Sequence, residues 1–280
     1  MKTIGLIGGM SWESTAHYYR LVNEAVKARL GGLHSARCVL WSVDFAEIEP
    51  LQRAARWDEA GEILNRAALG LERAGAELLL ICANTMHKVA DQAMRGVRVP
   101  LLHVVDVTAE RVRAAGLRRV ALLGTRYVME EDFYRRRLER HGLEVTVPGP
   151  EDRAEVNRVI FEELVLGRVE PRSRARYLAV MNALAAAGAQ GVIAGCTEIG
   201  MLVRQADLAV PYFDTTELHA LAAVERALEG ADRTSGGRET GRGRPAGGRR
   251  KVSSSGARRG ARRPEGEERT ARRPRRRRRA

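Results

Sequence analysis

The sequence predicts an α/β protein: two pseudo-symmetric α/β/α halves with mostly parallel sheets, facing each other across a cleft. Three observations predict it. Short, nearly continuous apolar runs alternate with longer amphipathic stretches, the pattern of parallel strands covered by helices on both faces. The segment LERAGAELLLICANT (71–85) resembles LAAAGAQGVIAGCTE (184–198): a helix end, Ala-Gly-Ala, a strand, then a cysteine-bearing turn. From Asp232 onward the apolar pattern stops, so the predicted folding unit ends before the chain does.

Taken in order, TIGLIG (3–8), CVLWSVDF (38–45), ELLLICA (77–83), PLLHVVD (100–106), RVALLGT (119–125), LEVTVP (143–148), QGVIAGC (190–196) and VPYFDT (210–215) read as strands. The amphipathic stretches 14–30, 57–74, 130–141 and 172–187 read as helices. The start of the chain, TIGLIGGM and its helix, matches RVALLGTR and its helix more loosely. These repeats place a first half at residues 1–100, rejoined by 211–230, and a second at 101–210, together a domain of residues 1–230.

Residues 231–280 form an arginine-rich tail that cannot bury enough apolar surface to offset its ordering entropy, and it is expected to be disordered. Residues 232–280 hold 19 Lys and Arg against 5 Asp and Glu, a balance of +14 in a chain of net charge +13. The body is therefore nearly neutral, and nothing in it calls for a nucleic acid. The tail's arginines suit only nonspecific, salt-dependent contact with nucleic acid or other anions. No aromatics are interleaved with them for stacking on bases.

Three scattered cysteines make neither a disulfide framework nor a metal cluster. MKTIGLIGGM is too short and glycine-broken for a signal peptide, and no apolar stretch reaches the length of a membrane span. A cytoplasmic protein with no membrane contact is expected. LIGGM lacks the GxGxxG of a dinucleotide site. His87 has no second ligand at metal spacing, so no metal is expected. Cys38, in mid-strand, reads as core.

In parallel sheets ligands bind beyond the carboxyl ends of the strands, which directs attention to the two matched turns. Anchoring the repeat on Gly75 and Gly188 sets Ala83 opposite Cys196, Asn84 opposite Thr197 and Thr85 opposite Glu198. Cys82 falls opposite Gly195, one place early. A shift of one residue turns a strand side chain to the other face, so Cys82 should enter the sheet packing while Ala83 faces the cleft. Cys196 follows a glycine at a strand end and precedes a helix start. There, backbone N–H groups and the helix dipole should lower its pKa from about 8.5 toward neutrality.

IGLIGGMSWEST (4–15), HSARCVLWSVDFAEIEPLQ (34–52), CANTMHKVAD (82–91), LLGTRYVME (122–130), IFEELVLG (160–167) and GCTEIG (195–200) together resemble the aspartate/glutamate/hydantoin racemase superfamily. GGMSW and CTE favour its aspartate racemase branch and the broad-specificity amino-acid racemases. The resemblance spans residues 1–228 and none of the tail. It implies an isomerase, working without a cofactor as a homodimer on a small amino acid. One cysteine as thiolate takes the α-proton and a second as thiol returns one to the opposite face.

The family's first catalytic residue immediately precedes Asn-Thr, and here that place is Ala83. Cys196 is then the principal acid/base. Cys82 is catalytic only if a local bulge swings it in; otherwise water or another group substitutes, or racemisation is impaired or one-directional. Arylmalonate decarboxylases of the same superfamily keep only the second cysteine. A single-cysteine decarboxylase or isomerase therefore stands as an alternative, and a non-catalytic amino-acid-binding relic as another. Asn84, Thr85, Thr125 and Thr197 are candidate donors to the substrate carboxylate, and Met10 and Gln52 carry over as pocket lining. Glu198 either orients Cys196, binds the amino group or favours its helix start. Residues 150–171 lack the lysine that aspartate racemases often use, which leaves Arg158 as the candidate cation there.

Overall fold

The apolar runs assemble into two separate parallel sheets in the computed structural model, which describes residues 1–229. The first has β1 (Ile4–Gly8) at its centre, between β2 (Cys38–Ser42) and β3 (Leu78–Ile81). The second consists of β4 (Arg119–Gly124), β5 (Glu144–Thr146), β6 (Gly191–Gly195) and β7 (Tyr212–Asp214), in the order β5-β4-β6-β7. Every pairing is parallel. The expectation for the tail falls outside the described residues.

Helices follow the strands. In the first part of the chain these are α1 (Trp12–Leu30), α2 (Phe45–Arg53), α3 (Trp57–Arg73) and the short α4 (Ala90–Ala93). Then come α5 (Val104–Ala114), α6 (Arg126–Glu130), α7 (Asp132–Arg140), α8 (Pro150–Glu162), α9 (Pro171–Ala186), the single turn α10 (Ile199–Leu202) and α11 (Thr215–Leu228). The repeat has a structural cause at its anchor glycines. Gly75 and Gly188 follow the ends of α3 and α9 with φ of +90° and +105°, a region costly for a residue with a Cβ, and turn the chain into β3 and β6 respectively.

Three sequence expectations are corrected. PLLHVVD is not a strand: Leu101 makes one isolated bridge to Leu79, and helix α5 begins at Val104. His103 caps it, its Nδ1 accepting from the Val105 N–H at 3.2 Å, and a short β-branched run does not by itself distinguish buried helix from strand. Second, residues 211–230 do not all rejoin the first half, because β7 pairs with β6, whereas α11 packs against α1 and covers β3. Third, Cys38 lies half-buried on the edge strand β2 rather than in the core.

Each sheet is covered on both faces. In the first, Leu78, Leu80 and Cys82 pack with Tyr18 and Val22 of α1 and Ala220 and Val224 of α11. Leu79, Ile81 and Ala83 turn the other way, toward Leu64, Ala67 and Leu71 of α3. In the second, Ala121, Leu123, Val192, Ala194 and Cys196 share a face with Val156, Ile160 and Tyr177 of α8 and α9. Val120, Leu122 and Ile193 meet α5 and α7 on the opposite face. Each fully buried Leu or Ile contributes roughly 1.5–3 kcal/mol.

Three buried histidines predict how stability depends on pH. The His87 ring lies 4.5 Å from that of His103 and 5.8 Å from that of His219, centroid to centroid. Val104 N–H donates to His87 Nε2, so Nδ1 carries the hydrogen given to the Ala83 carbonyl at 2.8 Å. Tyr18 donates to His219 Nδ1 at 2.9 Å, and His219 Nε2–H donates to the Leu102 carbonyl at 2.8 Å. All three rings are neutral. Burial pushes His87 well down, His103 to about 2 and His219 to about 4.

As pH falls below about 6.5 the unfolded chain takes up these protons before the folded one does, so stability is lost on the acid side. Asp214, raised by burial to about 6, binds a proton in the folded state and opposes part of the loss. The balance near pH 5 is about two protons, or roughly 2–3 kcal/mol of stability lost per pH unit. Urea unfolding at pH 7, 6 and 5 checks this; a midpoint that does not move contradicts it.

Candidate active site

Loops after β1, β3, β4 and β6 meet at the carboxyl ends of both sheets, where a cleft opens. Its cavity volume is about 30 Å³, room for about two waters. Met10 lines it after β1, Ala83, Asn84 and Thr85 after β3, Thr125 after β4, and Gly195 to Glu198 after β6. Phe45 and Gln52 reach it from α2, and Ile160, Phe161 and Val165 from α8 and the turn that follows.

Strand parity decides which residue of the first turn the cleft sees. Cys82 continues the face of Leu78 and Leu80, is fully buried among α1 and α11, and does not line the cleft. Burial drives its thiol pKa far up. The strand has no bulge to swing it round, so Cys82 is corrected from candidate proton carrier to core residue. Ala83 faces the cleft instead, and Cys196 lines the same cleft from the second sheet.

Cys196 Sγ–H donates to Glu198 Oε2 at 2.9 Å. The other donors around that carboxylate are Thr197 Oγ1 at 2.6 Å from Oε2, and Ser14 Oγ at 2.5 Å and Ser11 Oγ at 3.0 Å from Oε1. The expected lowering of the Cys196 pKa is therefore reversed. Burial raises it well above the ordinary thiol range, and the charge and hydrogen bond of Glu198 add to the rise. Helix α10 is a single turn and offers little dipole to oppose them. Of the alternatives for Glu198, the structure shows both the contact with Cys196 and a place at the N-cap of α10, without a side-chain capping bond.

The remaining candidates fall into two groups. Asn84 is largely committed: Tyr134 O–H donates to its Oδ1 at 2.9 Å, and its Nδ2 donates to Thr215 Oγ1 at 3.0 Å, leaving one N–H. Thr85 and Thr125 join the two walls, their hydroxyls 2.9 Å apart. Gln52 donates to Met86 Sδ at 3.0 Å. Arg158 is outside the cleft, paired with Glu155, Glu162 and Glu163, because its position on α8 faces solvent. Among the described residues no cluster of three or more His, Cys, Asp or Glu is arranged to hold a metal.

Ser11 and Ser14 were not anticipated. From sequence they read as helix-start residues, and Ser11 does cap α1, accepting from Ser14 N at 3.3 Å. The available signal was their place at the junction between the central strand β1 and α1, Ser11 in the loop and Ser14 in the first turn of the helix. Thr197 and Glu198 also line a second, more open cavity of about 850 Å³ with Glu13, His17, Asp214 and Glu217.

Two parallel sheets with their carboxyl ends turned onto one shared cleft define the racemase-type α/β class. Residues 7–223 match the family model described as Asp/Glu/Hydantoin racemase, and the chain belongs to that family. A Yersinia pestis protein assigned to the Asp/Glu racemases is 54% identical, with a TM-score of 0.77, covering 81% of this chain and 100% of that one. An aspartate racemase homologue from Pyrococcus horikoshii OT3 is 39% identical, with a TM-score of 0.72, covering 81% and 99%. The broad specificity amino-acid racemase RacX of Bacillus subtilis (strain 168) is 22% identical over 233 residues, 80% of this chain and 98% of its own. Amino-acid racemases are isomerases. No helix among the described residues is long and apolar enough to cross a membrane.

Proposed function

We propose that the protein moves the α-proton of a bound amino acid with a single thiol, Cys196, and that alanine at position 83 leaves inversion slower than exchange. The observation that carries this is the asymmetry of the cleft: a thiol bonded to a carboxylate after β6, and a methyl group at the matched place after β3. In its thiolate form Cys196 takes the α-proton; burial and the Glu198 carboxylate oppose that ionisation, so the thiolate is a minority form of the resting cleft. The C–H electron pair then passes into the substrate carboxylate as an enediolate. One hydroxyl proton of the Thr85–Thr125 pair, the other being donated within the pair, and the remaining N–H of Asn84 are the donors available to its oxygens.

Return of a proton from Cys196 regenerates the starting enantiomer. Delivery to the other face falls to water, because Met10, Phe45, Gln52, Ala83, Asn84 and Thr85 include no acid of suitable strength. Thr197 and Glu198, which flank the thiol, also line the second cavity, and exchange of the thiol proton with solvent is assigned to that side. A working free thiol suits the reducing cytoplasm.

In deuterium oxide, deuterium is expected to enter Cα of the recovered starting enantiomer at least about tenfold faster than the opposite enantiomer accumulates. Equal rates contradict the single-thiol reading, and absence of exchange with every amino acid contradicts the activity itself. The same lone thiol favours a second reading, in which Cys196 protonates the carbanion left when a substituted malonate loses carbon dioxide. Carbon dioxide release from malonates, without exchange into amino acids, identifies it.

A further inference from the structure

Apart from the thiol, Glu198 and the hydroxyl and amide groups assigned to the substrate's own carboxylate, the cleft is walled by hydrocarbon and thioether. Met10, Phe45, Ile160, Phe161 and Val165 supply that wall. Among the described residues no lysine, arginine or histidine lines the cleft. Three cations near it in sequence are engaged elsewhere. Arg158 is held by Glu155, Glu162 and Glu163 beside a separate cavity. Lys88 pairs with Glu131 and lies 3.8 Å from the centroid of the Trp57 ring. Arg126 donates to the Tyr127 hydroxyl at 3.1 Å.

A side-chain carboxylate brought into this cleft loses its hydration, meets no cation, and sits in the field of Glu198. A side-chain ammonium gains little, since Glu198 is already surrounded by Ser11, Ser14, Cys196 and Thr197 as donors. An apolar side chain loses nothing on desolvation and gains about fourfold in affinity for each methylene it buries. Resting on the amino-acid reading above, we propose that the cleft takes amino acids with uncharged apolar side chains, of the leucine or methionine type, and discriminates against aspartate and glutamate. Phe45, Ile160, Phe161 and Val165 are its specificity-determining residues.

The test separates binding from turnover. Calorimetry on the full chain carrying Cys196→Ala, which has no thiol in the cleft, measures the affinity of leucine, methionine, aspartate, glutamate and lysine. Leucine or methionine is expected to bind at least tenfold more tightly than aspartate or glutamate, and the unsubstituted chain to show the same order in Cα exchange. The preference seen in binding without any exchange upholds this inference while defeating the racemase activity. Exchange that is as fast or faster with aspartate or glutamate defeats this inference and leaves the activity standing. Equal or tighter binding of the acidic amino acids, or binding of none, also overturns it.

Val165→Lys supplies the missing cation at a half-buried position where the lysine stem can keep the apolar contact. It is expected to shift the ratio of glutamate to leucine binding upward by at least about tenfold. An unchanged ratio removes Val165 from the specificity wall.

Discussion

Cys196→Ala is expected to lower Cα exchange by about 10²- to 10⁴-fold, the usual contribution of a positioned acid/base. No other group in the cleft can take its place. Thr85, Thr125 and Thr197 are hydroxyls far too weakly acidic, and Glu198 is wrapped by serine, threonine and cysteine donors rather than directed at a ligand. The loss is chemical rather than structural. Cys196 sits among Ala194, Ile199 and Leu202, and exchanging its sulfur for hydrogen removes one atom from that packing. The stability change is therefore about 1 kcal/mol. Deuterium incorporation followed by proton NMR, with a thermal melt on the same sample, checks both halves of the expectation. Full exchange in a stable Cys196→Ala chain places the proton carrier elsewhere.

Ala83→Cys is expected to raise inversion by about 10²- to 10⁴-fold, toward the exchange rate, by restoring an acid on the other face of the substrate. The position is suited to it. Ala83 continues the face of Leu79 and Ile81 and lines the cleft with Cys196, so a thiol there points at the ligand without a change of strand register. Cys82→Ala is the control. Its sulfur is fully buried against α1 and α11, and its removal is expected to lower stability by about 1 kcal/mol while leaving exchange unchanged. Polarimetry beside deuterium incorporation distinguishes these outcomes. If Cys82→Ala abolishes exchange while Ala83→Cys changes nothing, the assignment of faces at this turn is wrong.

Local chemistry made much of this molecule legible in advance. The alternation of apolar runs with amphipathic stretches announced parallel strands covered by helices. The matched Gly75 and Gly188 aligned the two turns, and the two-residue period of a strand separated Cys82 from Ala83. Signals that a short segment carries by itself survive into the structure because backbone geometry enforces them. The same locality explains the misreadings. Leu101, Leu102, Val104 and Val105 are apolar or β-branched enough for a strand, and only the cap from His103 and the packing around it made the segment from Val104 a helix.

What the tertiary structure alone decided is the environment of Cys196. Ser11 and Glu198 are 187 positions apart, and their contact exists only because loops from both sheets close on the same cleft. That closure buries the thiol beside a carboxylate and reverses the expected direction of its pKa. It also draws Ile160, Phe161 and Val165 over a cleft that no cationic side chain among the described residues lines. Desolvation and charge pairing depend on which surfaces meet, and a linear pattern holds no record of distance across the fold. The order of residues therefore determined the strands, the turns and the single thiol, while the meeting of the two sheets determined how acidic that thiol is and what stands around it.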